Sequence, residues 1–283
     1  MICYNMPPQG LHTLRGFLLR IKLYTNMTHT DIESLKYAKE LLENPGLAAR
    51  LTNIIGMPFE KAFDYLPEKW TGAIQAATQK SLRYALDVAI KTIDHNDRNS
   101  SKDILHKLLV VTSGGIGGAF GLPALTVELP VTTVIMFRSI ADIARSEGED
   151  IRNIETKLAC LEVFALGGTS DKDNAAESGY FAVKALLAKQ VSEAAKYIVE
   201  RGIAEEGSPA LVRFIAAIAS RFGTTVSQKA AASAVPVIGA AGGALINSIF
   251  MDHFQNTARG HFIIRRLENK YGQDEVQKTY MNI

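Results

Sequence analysis

Two stretches of the chain, Leu108–Val127 and Ala230–Met251, carry no charged side chain over 20 and 22 residues, and no other feature narrows the possible folds as much. Left in water, such runs would expose a large apolar surface, so they belong in a protein core or in lipid. Both carry glycines four apart: Gly114 and Gly118 in the first, Gly239 and Gly243 in the second. On a helix this spacing clears one face so that another backbone can approach closely. These four glycines are assigned to helix packing, and two glycine-rich apolar helices are expected at the centre of the fold.

As membrane spans the two windows are marginal. In the second, Val235, Val237, Ile238, Leu245, Ile246, Ile249 and Phe250 each favour the bilayer centre by about 0.3 to 0.6 kcal/mol, roughly 2 to 4 in all. Glycines, Pro236, Asn247 and two serines offset much of that. The first is interrupted by glycines and Pro123 and followed by Glu128, whose charge is costly in hydrocarbon. Nor is "TSGGIGGAFGLP" a phosphate cradle, since it lacks the Lys-Ser/Thr ending of a P-loop and a strand before it.

The rest of the chain has the period of helices. Ile32, Leu35, Ala38, Leu41 and Leu42 recur at three and four, and the pattern returns from Trp70 to Ile93, with Pro45, Pro58 and Pro67 between. "DHNDRNSSKD" at 94–103 reads as a linker. A helix is expected from about Pro130, with proline in its first turn and Gly148 as its stop. Further helices follow in "NIETKLACLEVFALGG", in the later part of "DKDNAAESGYFAVKALLAKQVSEAAKYIVERG" after a loop, from Pro209 with a break near Gly223, and in a charged stretch closed by Gly272. The fold class is all-α, a compact multi-helix bundle, with an N-terminal helical layer over 27–100 and a helical core over 101–283. Residues 1–26 read as a disordered or mis-called extension before a natural start at Met27. The alternative is a short basic amphipathic anchor using Arg15, Arg20 and Lys22.

The near balance of 31 basic and 29 acidic residues gives no footprint for nucleic acid. Cys3 and Cys160 match no metal or redox spacing, which fits a reducing compartment, and no secretory signal is recognisable. No cofactor motif is present, and none is expected.

The polar residues that stand out are few. Glu128 lies between two prolines in the most apolar region, before a helix bearing Arg138, Asp142 and Arg145. A buried carboxylate needs a partner, so Glu128 is either part of an ion-pair network or a reactive group anchored by Arg138. His253 and His261 stand roughly 80° apart around an ideal helix, so they hold one metal only with ligands from elsewhere, such as Glu128. The catalytic candidates are thus Glu128, Arg138 and His261. Arg259, Arg265, Arg266 and Lys270 follow the second neutral window and suit anionic lipid headgroups. No Ser-His-Asp, His-Glu-x-x-His or Cys-His signature occurs.

"GGIGGAFGLPALTVELPVTTVIMFRSIADIARSEGED" at 114–150, with "AVPVIGAAGGALINSIFMDHFQNTARGHFIIRRLENKYG" at 234–272, resembles the EcsC protein family over about residues 60–275. The resemblance implies an all-helical bacterial protein. The family's namesake is encoded beside the subunits of an ABC transporter, which implies work at the cytoplasmic membrane. The family supplies no catalytic role to carry over, and Glu128 stands where an Asp is common. The leading expectation is a cytoplasmic accessory protein, peripheral to the inner face of the membrane, with a membrane lipid or membrane protein as partner. The alternatives are a hydrolase using Glu128, Arg138 and His261, and a carrier of a hydrophobic ligand.

Overall fold

The computed structural model describes residues 27–43, 46–67, 70–93, 121–168, 179–201, 208–235 and 239–283. The described residues form ten α-helices and one 3-10 turn, with no strand: α1 His29–Glu43, α2 Leu47–Ile55, α3 Phe59–Ala62 followed by the 3-10 turn, α4 Trp70–Ile93, α5 Gly121–Ser146, α6 Ile154–Leu166, α7 Gly179–Arg201, α8 Pro209–Ala234, α9 Gly239–Tyr271 and α10 Gln273–Asn282. The expectations for residues 1–26, for the linker at 94–103 and for Gly114 and Gly118 lie outside the described residues.

The helix at the centre is α6. Ten successive residues, Thr156 to Ala165, are buried, and α4, α5, α7, α8 and α9 all pack on it. A helix buried over ten successive residues has no face turned to water, so neighbours surround it and its polar side chains Thr156, Lys157 and Glu162 lie inside as well. Asn153 starts it by accepting the Glu155 amide at 2.9 Å. Near its other end Phe164 meets Phe222 of α8 and Phe254 of α9, with ring centroids 4.8 and 5.4 Å apart. A smaller apolar cluster joins Ile32, Leu35 and Ala38 of α1 to Phe181, Ile263, Ile264, Leu267 and Tyr280.

Polar contacts set the helix directions. Ser139 of α5 bonds Gln255 of α9, and Glu149 beyond α5 bonds Arg265, so these two helices run parallel. Helix α8 runs against α9, since Phe222 meets Phe254 while Lys229 lies over the Phe250 ring. Helix α1 is also antiparallel to α9, with Asp31 against Lys270 and Leu42 against Gly260. The N-termini of α5 and α9 and the C-terminus of α8 therefore share one end of the bundle.

Several boundaries differ from those the sequence predicts. Helix α5 starts at Gly121, so Pro130 is internal and Pro123 takes the first turn, where an absent N–H costs nothing. Thr132 and Thr133 bond back to the Glu128 and Leu129 carbonyls beside that internal proline. Helix α8 passes Gly223 without a break, because Arg221 and Thr225 on either side bond carbonyls at the end of α6 and hold the turn in register. The second neutral window is not one helix: α8 ends at Ala234, Val235 is extended, and α9 begins at Gly239. Gly148, at φ 93°, and Gly272, at φ 87°, stop helices as predicted.

A methyl group on Gly243 would meet nothing within 4 Å among the described residues, whereas one on Gly260 would lie 2.6 Å from Leu42 Cγ and 3.0 Å from the Ala38 carbonyl. At Gly260, then, α9 packs against α1 with no room for a side chain. Gly260→Ala is expected to lower unfolding stability by about 1 to 3 kcal/mol, as overpacking does. Urea unfolding checks this, with Gly243→Ala as a control that does not lower it.

Candidate functional site

The structure places Glu128, Arg138 and His261 in three separate surroundings. Glu128 accepts from Lys229 of α8 at 2.9 Å; the lysine side chain is 3% exposed and the carboxylate 16%. Lys229 Nζ also lies 5.1 Å from the centre of the Phe250 ring. Arg138 is ten residues further along α5, about 15 Å of axial rise. Burial lowers its pKa, opposed by Asp142, which itself pairs with Arg145 at 3.3 Å. His261 is eleven residues beyond Phe250, roughly 16 Å along α9. No reacting atom reaches all three.

Lys229 and Glu128 are the charges that open the second neutral window and close the first. Their pairing matches the only two charges at that end of α5 and α8 to each other among the described residues. Beyond them, the exposed start of α9 presents Ala244, Leu245, Asn247 and Ser248.

His261 belongs to a buried polar cluster between α6, α7 and α9. Its Nδ1 shares a hydrogen with the Tyr180 hydroxyl at 2.9 Å, while its Nε2 is buried without a partner among the described residues. Burial holds the imidazole well below its ordinary pKa, with Arg265 and Lys184 adding to the effect, so the ring is neutral. Burial likewise raises the Tyr180 hydroxyl, helped by Glu268 and Glu162. Around this pair Lys184 of α7 is bonded to Glu268 of α9, and Arg265 donates to Glu149 at 2.8 Å. Burial pushes Glu149 up, but Arg265 and Thr156 outweigh it and hold the carboxyl below its usual range. Glu162 of α6 is only 4% exposed and is pushed up to about 7 by burial, with Lys184 and Arg265 lowering it and Glu268 raising it.

The basic residues of α9 are largely engaged within the chain. Arg266 donates to Glu147 at 2.9 Å, and Lys270 to Asp31 at 2.8 Å. Asp31 also accepts from Tyr271 and Thr28, and the Lys270 and Tyr271 bonds hold its carboxyl down at about 2 against the effect of burial. Arg259 donates to Asn256 at 3.2 Å. His253 donates Nε2–H to the Gly167 carbonyl at 2.7 Å, which ties α9 to the end of α6. No group of three or more His, Cys, Asp or Glu side chains suited to a metal occurs among the described residues.

Sequence reasoning missed Glu162, Tyr180, Lys184, Glu149 and Lys229. One signal was present: Lys157 and Glu162 stand inside a strongly apolar stretch, where charge is expensive. Another was the spacing of His261, Arg265 and Glu268 at intervals of four and three, which puts all three on one face of α9.

One described helix, Pro209–Ala234, is long and apolar enough to cross a membrane by length and composition, and 44% of its most apolar window is buried inside the bundle. A family model described as the EcsC protein family matches residues 29–267. No curated protein and no solved structure matches the chain.

Proposed function

The chain belongs to the EcsC protein family, and from that premise we propose that it is a non-catalytic, membrane-associated accessory protein that rests on the cytoplasmic face of the cell membrane. It attaches there by the uncharged end of its bundle and presents the remainder to a membrane-protein partner in transport or envelope processes. One observation carries this reading: where α5, α8 and α9 share an end, the bordering charges among the described residues are paired, Glu128 with Lys229 and Asp252 with Arg50 of α2. The adjoining turns of α9 leave the 48% exposed Leu245 among small and neutral neighbours. An ion pair closed on itself lowers the cost of bringing that end to the headgroup boundary, and apolar area buried there supplies the attraction.

Arg265, Arg266 and Lys270 contribute less in this scheme than their number suggests, because each faces a carboxylate of its own chain. Attachment is then governed by apolar burial rather than by surface charge. Flotation with vesicles of phosphatidylcholine, with and without phosphatidylglycerol, is expected to carry the protein upward in both cases. Binding should survive about 1 M salt, where the Debye length falls to about 3 Å. Protein that stays at the bottom of the gradient with both vesicles contradicts the proposal, and binding that needs phosphatidylglycerol and is lost in salt contradicts the apolar mode.

A further inference from the structure

Glu162 lies in the interior of a helix that is otherwise buried against five neighbours, and its carboxyl makes no hydrogen bond to a described residue. The groups that act on it come from two of those neighbours: Lys184 and Tyr180 from α7, and Arg265 and Glu268 from α9, with His261 joined to the cluster through Tyr180 and Glu149 through Arg265. Among the described residues, α4, α5 and α8 contribute no charge that acts on it. Both nearby cations are already engaged, Lys184 with Glu268 and Arg265 with Glu149. Two cations and two carboxylates balance while Glu162 keeps its proton. Without that proton, three carboxylates compete for two cations in a low-dielectric interior.

We propose that Glu162 is a proton-operated latch on the C-terminal half of α9. With its proton in place, the Lys184–Glu268 pair clamps α9 to α7. When the proton leaves, the Glu162 carboxylate draws Lys184 toward α6 and frees Glu268. The helix segment that carries Glu268 also seats α1 and α10, so its release loosens the smaller apolar cluster around Leu35, Leu267 and Tyr280. The burial that raises the Glu162 carboxyl to about 7 sets the latch within the ordinary pH range of a cell. His261 remains neutral throughout that range and does not act as the trigger.

Amide hydrogen exchange on the full chain tests the latch. A closed state that holds the proton to about 7 and an open state with an ordinary carboxyl differ in proton uptake, so opening must increase with pH. After correction for intrinsic exchange rates, amides of residues 260–271 are expected to open about tenfold more at about pH 8 than at about pH 6, with α4 unchanged. Glu162→Gln and Glu162→Leu, neither of which ionises, are both expected to remove the increase of opening with pH, leaving only the opposite dependence that His261 contributes. Equal opening at the two pH values in the natural chain overturns the proposal, and so does an increase with pH that persists in either variant.

Discussion

Glu162→Gln is expected to stabilise the folded protein at alkaline pH relative to the natural chain, a reversal of the usual effect of altering a buried residue. The Glu162 carboxyl rises on folding from 4.5 to about 7, because burial disfavours its charged form. A raised carboxyl contributes stability that is fully present below about pH 4.5 and is lost as pH rises through about 7. At about 1.4 kcal/mol per pH unit, that loss is about 3 kcal/mol. Glutamine has no proton to lose. The stability difference between variant and natural chain should therefore move by about 3 kcal/mol in the variant's favour between about pH 4 and about pH 8.

His261 works in the opposite sense. Its pKa is lowered on folding, so its contribution is present above its ordinary 6.5 and lost as pH falls below that value. In the natural chain the two slopes oppose each other between about pH 4.5 and 6.5, and removing the Glu162 carboxyl exposes the histidine slope. Urea unfolding across the pH series measures both effects. A variant curve parallel to the natural one would show that the carboxyl is not held protonated.

Lys229→Met should be among the most destabilising single changes in the chain, at about 3 kcal/mol, because it leaves the Glu128 carboxylate without its partner in an apolar setting. The lysine side chain is 3% exposed and its ammonium lies over the Phe250 ring, so the methionine would leave Glu128 facing apolar groups where the ammonium had been. Pairing the change with Glu128→Leu removes the stranded charge, and the double variant should recover most of the loss. The coupling between the two sites in a double-mutant cycle is the measurement. Losses that simply add would mean that the two residues do not form a functional pair in solution.

Much of the fold is legible because its signals are local. Helix α4 runs from Trp70 to Ile93 as the apolar period predicts. Thr28 caps α1 by accepting the Asp31 amide, while its hydroxyl donates to the Asp31 carboxylate, a reciprocal pair written within four residues. The boundaries that differ involve residues whose meaning depends on context. Pro130 fits a first turn in isolation, and only the helical segment before it shows that Pro123 already occupies that place. Gly223 looks like a break until the bonds of Arg221 and Thr225 are known.

The candidate site was less legible, because its partners are separated along the chain and meet only when three helices pack. Glu162, Lys184 and Glu268 each look unremarkable in their own segments, and nothing local pairs them. The glycines teach the same lesson. Gly260 stands alone in a charged helix yet packs directly on Leu42 and Ala38 of α1, whereas Gly243, chosen for its spacing from Gly239, adjoins no described residue. Spacing identifies a face that is free of side chains, and tertiary packing decides whether another helix uses it.

The central claim is that the uncharged end of the bundle is what meets the membrane. Fluorescent labels at Leu245→Cys and, separately, at Lys196→Cys test it most directly, in a chain whose Cys3 is replaced by Ser. Lys196 lies on the stretch of α7 that Glu193 bonds to Arg213 near the start of α8, away from the end where α8 meets Glu128. With vesicles whose lipids carry quenchers in the upper acyl chain, the label at 245 should be quenched and the label at 196 should stay bright. Quenching at 196 with none at 245 would place the opposite end on the membrane and contradict the claim.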